Sequence, residues 1–235
     1  MEPAAWLWIA IAVAGVSLLT LAGYAVWAGL FDPQPPRTSQ ERQLSVLSAL
    51  ITTKPTDQYV WADYIQALVD THQYGRALTV IAQARTAIGD APQVDVQEAR
   101  YHYLRDDRQR ALSLLEGTVA RIEARRAEKR EANMRKGTSG EIVKLDTEAM
   151  VKALLLTARI HADLGRLDEA IVALTRALKD DPSMADVLIA RGDLYARKNA
   201  VDLAAEDYRA ALRFMPDNAA ARAGLARIGK GQAGD

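Results

Sequence analysis

The chain opens on an unbroken apolar run. Residues 6–30 read WLWIAIAVAGVSLLTLAGYAVWAGL, and no charged side chain occurs from Pro3 to Phe31. As a helix, these 25 residues span roughly 37 Å at ~1.5 Å per residue, more than a hydrocarbon core of ~30 Å, so a tilted single span is predicted. Trp6 and Trp8 stand at one end and Tyr24 and Trp27 at the other, the spacing of two interfacial aromatic belts. A cleaved signal peptide needs a basic leading region and an apolar stretch of about 7–15 residues. Here Glu2 is the only charge before the run, and the run is too long. A retained transmembrane anchor over residues 1–31 is therefore expected. Ala10 with Ala14, and Ala25 with Gly29, are small-xxx-small pairs through which two such anchors can associate.

Beyond Phe31 the pattern changes abruptly. Residues 32–38 (DPQPPRT) hold three prolines, which favour an extended, semi-rigid spacer. All 30 basic residues follow position 36, matched by 30 acidic residues in a chain of 235. That balance argues against a nucleic-acid-binding domain, which carries a basic excess. The absence of Cys excludes disulfides, Cys-zinc sites, iron–sulfur clusters and thiol nucleophiles. Arg37 and Arg42 follow the span, and no Lys or Arg precedes it. The positive-inside rule thus describes a single-pass cell-membrane protein with its soluble part in the cytoplasm; the alternative is an extracytoplasmic domain.

The soluble part is helical in pattern and repeats itself. GRALTVIAQA (75–84), QRALSLLEGT (109–118), DEAIVALTRA (168–177) and LAAEDYRAAL (203–212) align with Ala77, Ala111, Ala170 and Ala204 in one column. Ala77 and Ala111 are 34 residues apart, as are Ala170 and Ala204; the middle gap is one period plus a 25-residue insertion. Pro182 and Pro216 keep the same period, and so do Ala158, Gly192 and Ala226.

A 34-residue period with small residues, an aromatic and a closing proline resembles the tetratricopeptide repeat (TPR) family. Its W-x2-L-G-x2-Y, A-x3-F and P places are met in part by each unit. The first unit has Trp61 and Ala77-x3-Ile81, and the second has Ala99, His102 and Ala111-x3-Leu115. The third has Ala158, His161, Ala170-x3-Leu174 and Pro182; the fourth has Gly192, Tyr195, Ala204-x3-Tyr208 and Pro216. Ile65 departs from the pattern, since a small residue is usual there. The resemblance implies an all-α fold, a transmembrane helix followed by an α-solenoid of about four helix-pair repeats. Their expected bounds are 58–91, 92–150, 151–184 and 185–218, within a domain of 39–230. Helices 39–53 and 219–228 fall in the phase of terminal caps, and 231–235 reads as a tail.

The second unit lacks its proline. RIEARRAEKREANMRK (121–136) follows instead, with seven basic and three acidic residues and strong helix formers throughout. Helix B of that unit is expected to overrun to about residue 135. GTSG (137–140) breaks it, and the next helix A is expected to start near 141. The insertion, 121–147, thus reads as a protruding helical hairpin. It is either a solvated projection or a basic arm, with Arg125, Arg126, Lys129 and Arg130, that meets anionic lipid headgroups, nucleic acid or an acidic partner.

No enzyme is expected. Nucleophile-elbow, zinc-protease, P-loop and dinucleotide motifs are all missing. His102 and His161 fall in the packing column, His72 in a turn, and Asp106–Asp107 and Asp180–Asp181 at helix ends, where Asp is locally favoured. No metal or cofactor site is expected.

What remains is a binding surface. In the TPR family, partners lie along stacked A helices, in a concave groove. The resemblance transfers the groove places to Tyr59, Gln66, Arg100, Tyr103, Lys152, Leu155, Arg159, Asp193 and Arg197. The family's chaperone-binding members clamp a terminal carboxylate with Lys and Asn; Asp63, Gln66 and Asp70 stand in those first-unit places, which disfavours that mode. The expected function is a membrane-tethered scaffold or adaptor that holds a protein or peptide partner and supports a membrane-associated complex. One alternative is an extracytoplasmic module presenting apoprotein to a cytochrome c biogenesis-type machine. Another is a structural homo-oligomer.

Overall fold

The computed structural model describes residues 38–135 and 147–232, with side chains to 229. The predicted anchor, the insertion tip and the early start of the third helix A lie outside these residues. Among the described residues no helix is long and apolar enough to cross a membrane, and all regular structure is helical. The chain divides into two compact units, Met1–Ser45 and Val46–Asp235.

In the first unit the described residues are 38–45, where helix α1 (Ser39–Thr53) begins. A reciprocal capping box starts it. Glu41 N–H donates to Thr38 Oγ1 at 3.0 Å, and Thr38 N–H donates to Glu41 Oε2 at 3.1 Å. Two of the otherwise orphaned N-terminal donors are satisfied this way.

The second unit stacks helices in pairs. The first pair is α2 (Gln58–Asp70) and α3 (Tyr74–Ile88), and the second is α4 (Pro92–Leu104) and α5 (Arg108–Arg135). The third is α6 (Thr147–Asp163) and α7 (Leu167–Asp180), and the fourth is α8 (Ala185–Arg197) and α9 (Val201–Phe214). Helix α10 (Ala219–Gln232) packs on α8 and α9. Each pair packs internally, and α2 on α4 and α4 on α6 carry the stacking of the first, or A, helices. Helices α6 and α8 are not among the closely packed pairs; α7 lies against both.

The alignment columns have physical causes. Ala77, Ala111, Ala170 and Ala204 are wholly buried, so the B helices approach their neighbours as closely as a methyl group allows. Ile81, Leu115, Leu174 and Tyr208 fill the space between pairs. Each A-to-B turn uses one left-handed residue: His72 (φ 58°), Asp106 (65°), Gly165 (75°) and Asn199 (59°). These follow the same 34-residue period with the same insertion. Three of the four are not glycine; Asp, Asn and His tolerate this region better than most side chains.

Between pairs, proline is not the only stop. Gly89 stands one period after Pro55, with φ 68°, and Pro92 then opens α4. A left-handed glycine past the helix end and proline at its first turn perform the same redirection. Pro55 itself is held: Trp61, 5% exposed, donates Nε1–H to its carbonyl at 2.9 Å.

Helix α5 runs 28 residues without a break. Its last buried side chain is Ile122, so the final three turns have no packed face. Their near end is pinned by charge. Glu123 pairs with Arg176 at 2.5 Å, Arg126 pairs with Asp180 and donates to Thr147 Oγ1 at 2.9 Å, and Arg125 pairs with Asp90 at 3.7 Å. Lys129 and Arg130 are exposed. Two of the four basic residues assigned to the insertion are thus engaged with this chain's own carboxylates.

His102 is buried at 7% exposure, as its column requires. Burial first, and then Arg110, push its pKa below the ordinary imidazole value, against the pull of Glu98 and Asp107. The native state therefore resists a proton that the unfolded chain accepts. Stability from this site is present above the ordinary value and lost as pH falls through it. Urea unfolding at pH 7.5 and pH 5.5 is expected to show lower stability in acid, and His102→Gln to flatten that difference.

Candidate partner-binding groove

The A helices share one open face. A cavity of about 650 Å³ runs along it, lined from α2 by Gln66, from α4 by Val96, Gln97 and Arg100, and from α8 by Ala190, Asp193 and Leu194. Helix α6 supplies the largest share of the wall, including Lys152, Leu155, Leu156 and Arg159. Where α6 and α8 stand apart, Leu174 of α7 forms the floor.

Six of the nine expected groove residues line this cavity: Gln66, Arg100, Lys152, Leu155, Arg159 and Asp193. Tyr59, at the start of α2, is exposed but outside the lining. Tyr103 and Arg197 sit just beyond it. The Tyr103 hydroxyl donates to Asp163 Oδ2 at 2.6 Å. Burial and that carboxylate push its pKa up, while Arg159 pulls it back. Arg197 Nη2 donates to the Ala162 carbonyl at 3.0 Å, near the end of α6.

The charges of the groove are unequally satisfied. Arg100 pairs with Asp70 at 2.6 Å, and Lys152 with Glu148 at 2.6 Å. Asp193 accepts from the Tyr208 hydroxyl at 2.6 Å and from Arg227 at 2.7 Å. Arg159 is exposed, and among the described residues no carboxylate lies within ion-pair distance of it. One buried amide is also incomplete. Gln97, 4% exposed, donates Nε2–H to Gln66 Oε1 at 3.3 Å, while its own Oε1 is buried without a partner.

Sequence reasoning missed Gln97, Leu156, Ala190 and Leu194 as lining residues. Column arithmetic finds positions that face outward on an ideal helix. It does not report how far two A helices separate, and that separation brings Ala190 and the edge of the otherwise buried Leu174 to the groove wall. A buried Gln amid apolar residues, as in VDVQEA (94–99), was the available signal.

Among the described residues no group of three His, Asp or Glu side chains is placed to hold a metal ion. The arrangement offers a cation, a hydrogen-bond acceptor and an apolar floor. These are means of recognition.

Residues 155–219 match the tetratricopeptide repeat family model. The match runs from mid-α6 through α9, so this part of the fold defines the class, a helical-repeat module. No curated protein is significantly similar to the chain. Among solved structures, the chain resembles YrrB, described as a TPR protein with an unusual peptide-binding site. The identity is 20%, with 77% of this chain and 81% of that one covered and a TM-score of 0.47. MamA from Desulfovibrio magneticus RS-1 is similar at 19% identity, over 78% and 89% of the two chains, with a TM-score of 0.49. The Cut9–Hcn1 assembly of the APC/C is similar at 14% identity, over 81% and 39%, with a TM-score of 0.46.

Proposed function

We propose that this protein is a membrane-tethered adaptor. Its A-helix groove holds a protein or peptide partner while residues 6–30 anchor it in the bilayer. The observation that carries this reading is the single cavity of about 650 Å³ to which α2, α4, α6 and α8 all contribute. A surface shared by four helix pairs suits an extended chain better than a small molecule. Tethering adds a second effect: confinement to one membrane raises the local concentration of the partner without any new contact.

A photo-crosslinking amino acid at Leu155, in the full-length protein in its native membrane, tests this. A discrete protein adduct is expected, and it should disappear when the crosslinker is moved to exposed Val172 on α7. No adduct at Leu155, or equal adducts at both places, would refute groove binding.

The side of the membrane is a separate proposal. Arg37 and Arg42 after the span, and none before it, favour the cytoplasm. A C-terminal reporter active only in the cytoplasm is expected to be active. Activity only of an exported reporter would favour the extracytoplasmic module instead.

A further inference from the structure

The groove restricts the chemistry of its occupant beyond being a peptide. Three features of one cavity are available to an occupant. Arg159 is an exposed guanidinium beside the Tyr103 hydroxyl, with no carboxylate partner among the described residues, whereas Arg100 and Lys152 each have one. Gln97 Oε1 is a buried acceptor without a donor, on a side chain only 4% exposed. Leu155, Leu174 and Leu194 form an apolar floor where α6 and α8 stand apart.

Each feature selects something. A guanidinium without a carboxylate partner favours one, which it binds in a planar, two-point geometry. A buried acceptor without a donor costs free energy that an incoming N–H recovers. An apolar floor in an open groove is satisfied by an aliphatic or aromatic side chain. A fatty acid would supply the carboxylate and the apolar chain, but it has no donor for Gln97. A basic segment would face Arg159 and, just beyond the cavity, Arg197, which is also without a carboxylate partner among the described residues. A peptide supplies an N–H at every residue other than proline, and one with Asp or Glu beside Leu, Ile or Phe suits all three features at once.

We infer that the groove is selective for an acidic peptide segment. Its carboxylate pairs with Arg159, a backbone N–H donates to Gln97 Oε1, and an adjacent apolar side chain rests on Leu155, Leu174 and Leu194. The inference builds on the adaptor reading above but goes further, because groove binding alone leaves the charge of the partner open.

Panning a phage-displayed library of random 12-residue peptides on the detergent-solubilised full chain provides the test. Recovered sequences are expected to carry Asp or Glu next to a large apolar residue. Their affinity is expected to fall about tenfold in Arg159→Gln and further in Arg159→Glu, and to fall less in Arg159→Lys, which keeps the charge but not the two-point geometry. Gln97→Leu is expected to weaken them with no loss of thermal stability, since it removes an unsatisfied buried acceptor. Circular dichroism melts of each variant separate loss of binding from loss of fold. Neutral or basic consensus peptides would overturn the inference, as would acidic ones bound equally by Arg159→Glu. Either result would leave the adaptor reading intact if Leu155 still crosslinks a partner. Failure to recover any peptide that Leu155 can crosslink would overturn both.

Discussion

Gly224→Ala is expected to destabilise the protein by about 1–3 kcal/mol, although alanine is normally the better helix residue by about 1 kcal/mol. The sign is set by one ring. A Cβ on Gly224 would lie 2.5 Å from Tyr208 Cζ and 2.6 Å from its Cε1, well inside contact distance. Tyr208 cannot readily retreat: it is wholly buried, and Gly192 also abuts the ring, where a Cβ would lie 3.0 Å from Cε1. Its hydroxyl is also fixed, donating to Asp193 and accepting from Arg227 at 3.1 Å. Burial, reinforced by Asp193, pushes the phenol pKa up to about 12, so it remains a donor at any ordinary pH. Thermal unfolding is the measurement, with a fall of roughly 2–4 °C expected per kcal/mol. In a Tyr208→Leu background the same substitution is expected to be neutral or favourable. If Gly224→Ala stabilised the wild type, α10 could not be packed on Tyr208 as described.

The second large effect concerns Asp95, which is 1% exposed at the junction of the first two pairs. Arg85 of α3 reaches it at 2.8 Å, Arg121 of α5 pairs with it, and Thr118 donates at 3.4 Å. One carboxylate thus ties three helices. Removing it by Asp95→Ala leaves Arg85 with Glu98, Arg121 with Asp90 and the Thr118 hydroxyl with the Leu114 carbonyl, but loses the carboxylate that joins all three helices. Loss of one partner of a fully buried pair costs about 3–5 kcal/mol; since Arg85 and Arg121 remain 43% and 42% exposed, about 2–3 kcal/mol is expected here. Asp95→Asn is expected to cost much less. Burial pushes the Asp95 pKa up and outweighs the opposing pull of Arg85 and Arg121, so the charge itself is held at a cost that an amide avoids. A carboxyl raised in the native state takes its proton before the unfolded chain does. Its contribution to stability therefore falls as pH rises through the carboxylate range. Urea midpoints between pH 3.5 and pH 7 are expected to lose that component in Asp95→Asn. Equal costs for Asn and Ala would show that the network does not act through the carboxylate position.

A good part of this architecture could be read directly. The 34-residue alanine columns implied paired helices, and Ala77, Ala111, Ala170 and Ala204 are buried as that reading needs. Trp61 in the first unit and the histidines of the packing column followed from the same arithmetic. The groove was legible as a set of A-helix places, six of which line one cavity. Other features were not legible, because they depend on distances between segments remote in sequence. Arg126 and Asp180 are 54 positions apart, and no local pattern announces that two residues of a basic run are neutralised by a neighbouring pair. Ala226 keeps the period of Gly192 yet is exposed. A helix A without its own helix B buries a different face, and Gly224 takes the inner place instead.

Periodicity is a property of one strand of residues, so the chain alone dictated helical pairs, their small-residue contacts and the outward places of the A helices. Which charges stay unpaired is a property of the packed state. Arg100, Lys152 and Arg159 are alike as cations, and in sequence a carboxylate stands one helical turn from the second (Glu148) and from the third (Asp163) but not from the first. Packing brings Asp70 to the first and the turn of α6 brings Glu148 to the second, while the third faces an open cleft over Leu174. Coulomb attraction falls off over a few ångströms in a protein's surroundings. The Glu148–Lys152 pair, one helical turn apart, is local, but only the packed state gives Asp163 to the Tyr103 hydroxyl and leaves Arg159 without a carboxylate.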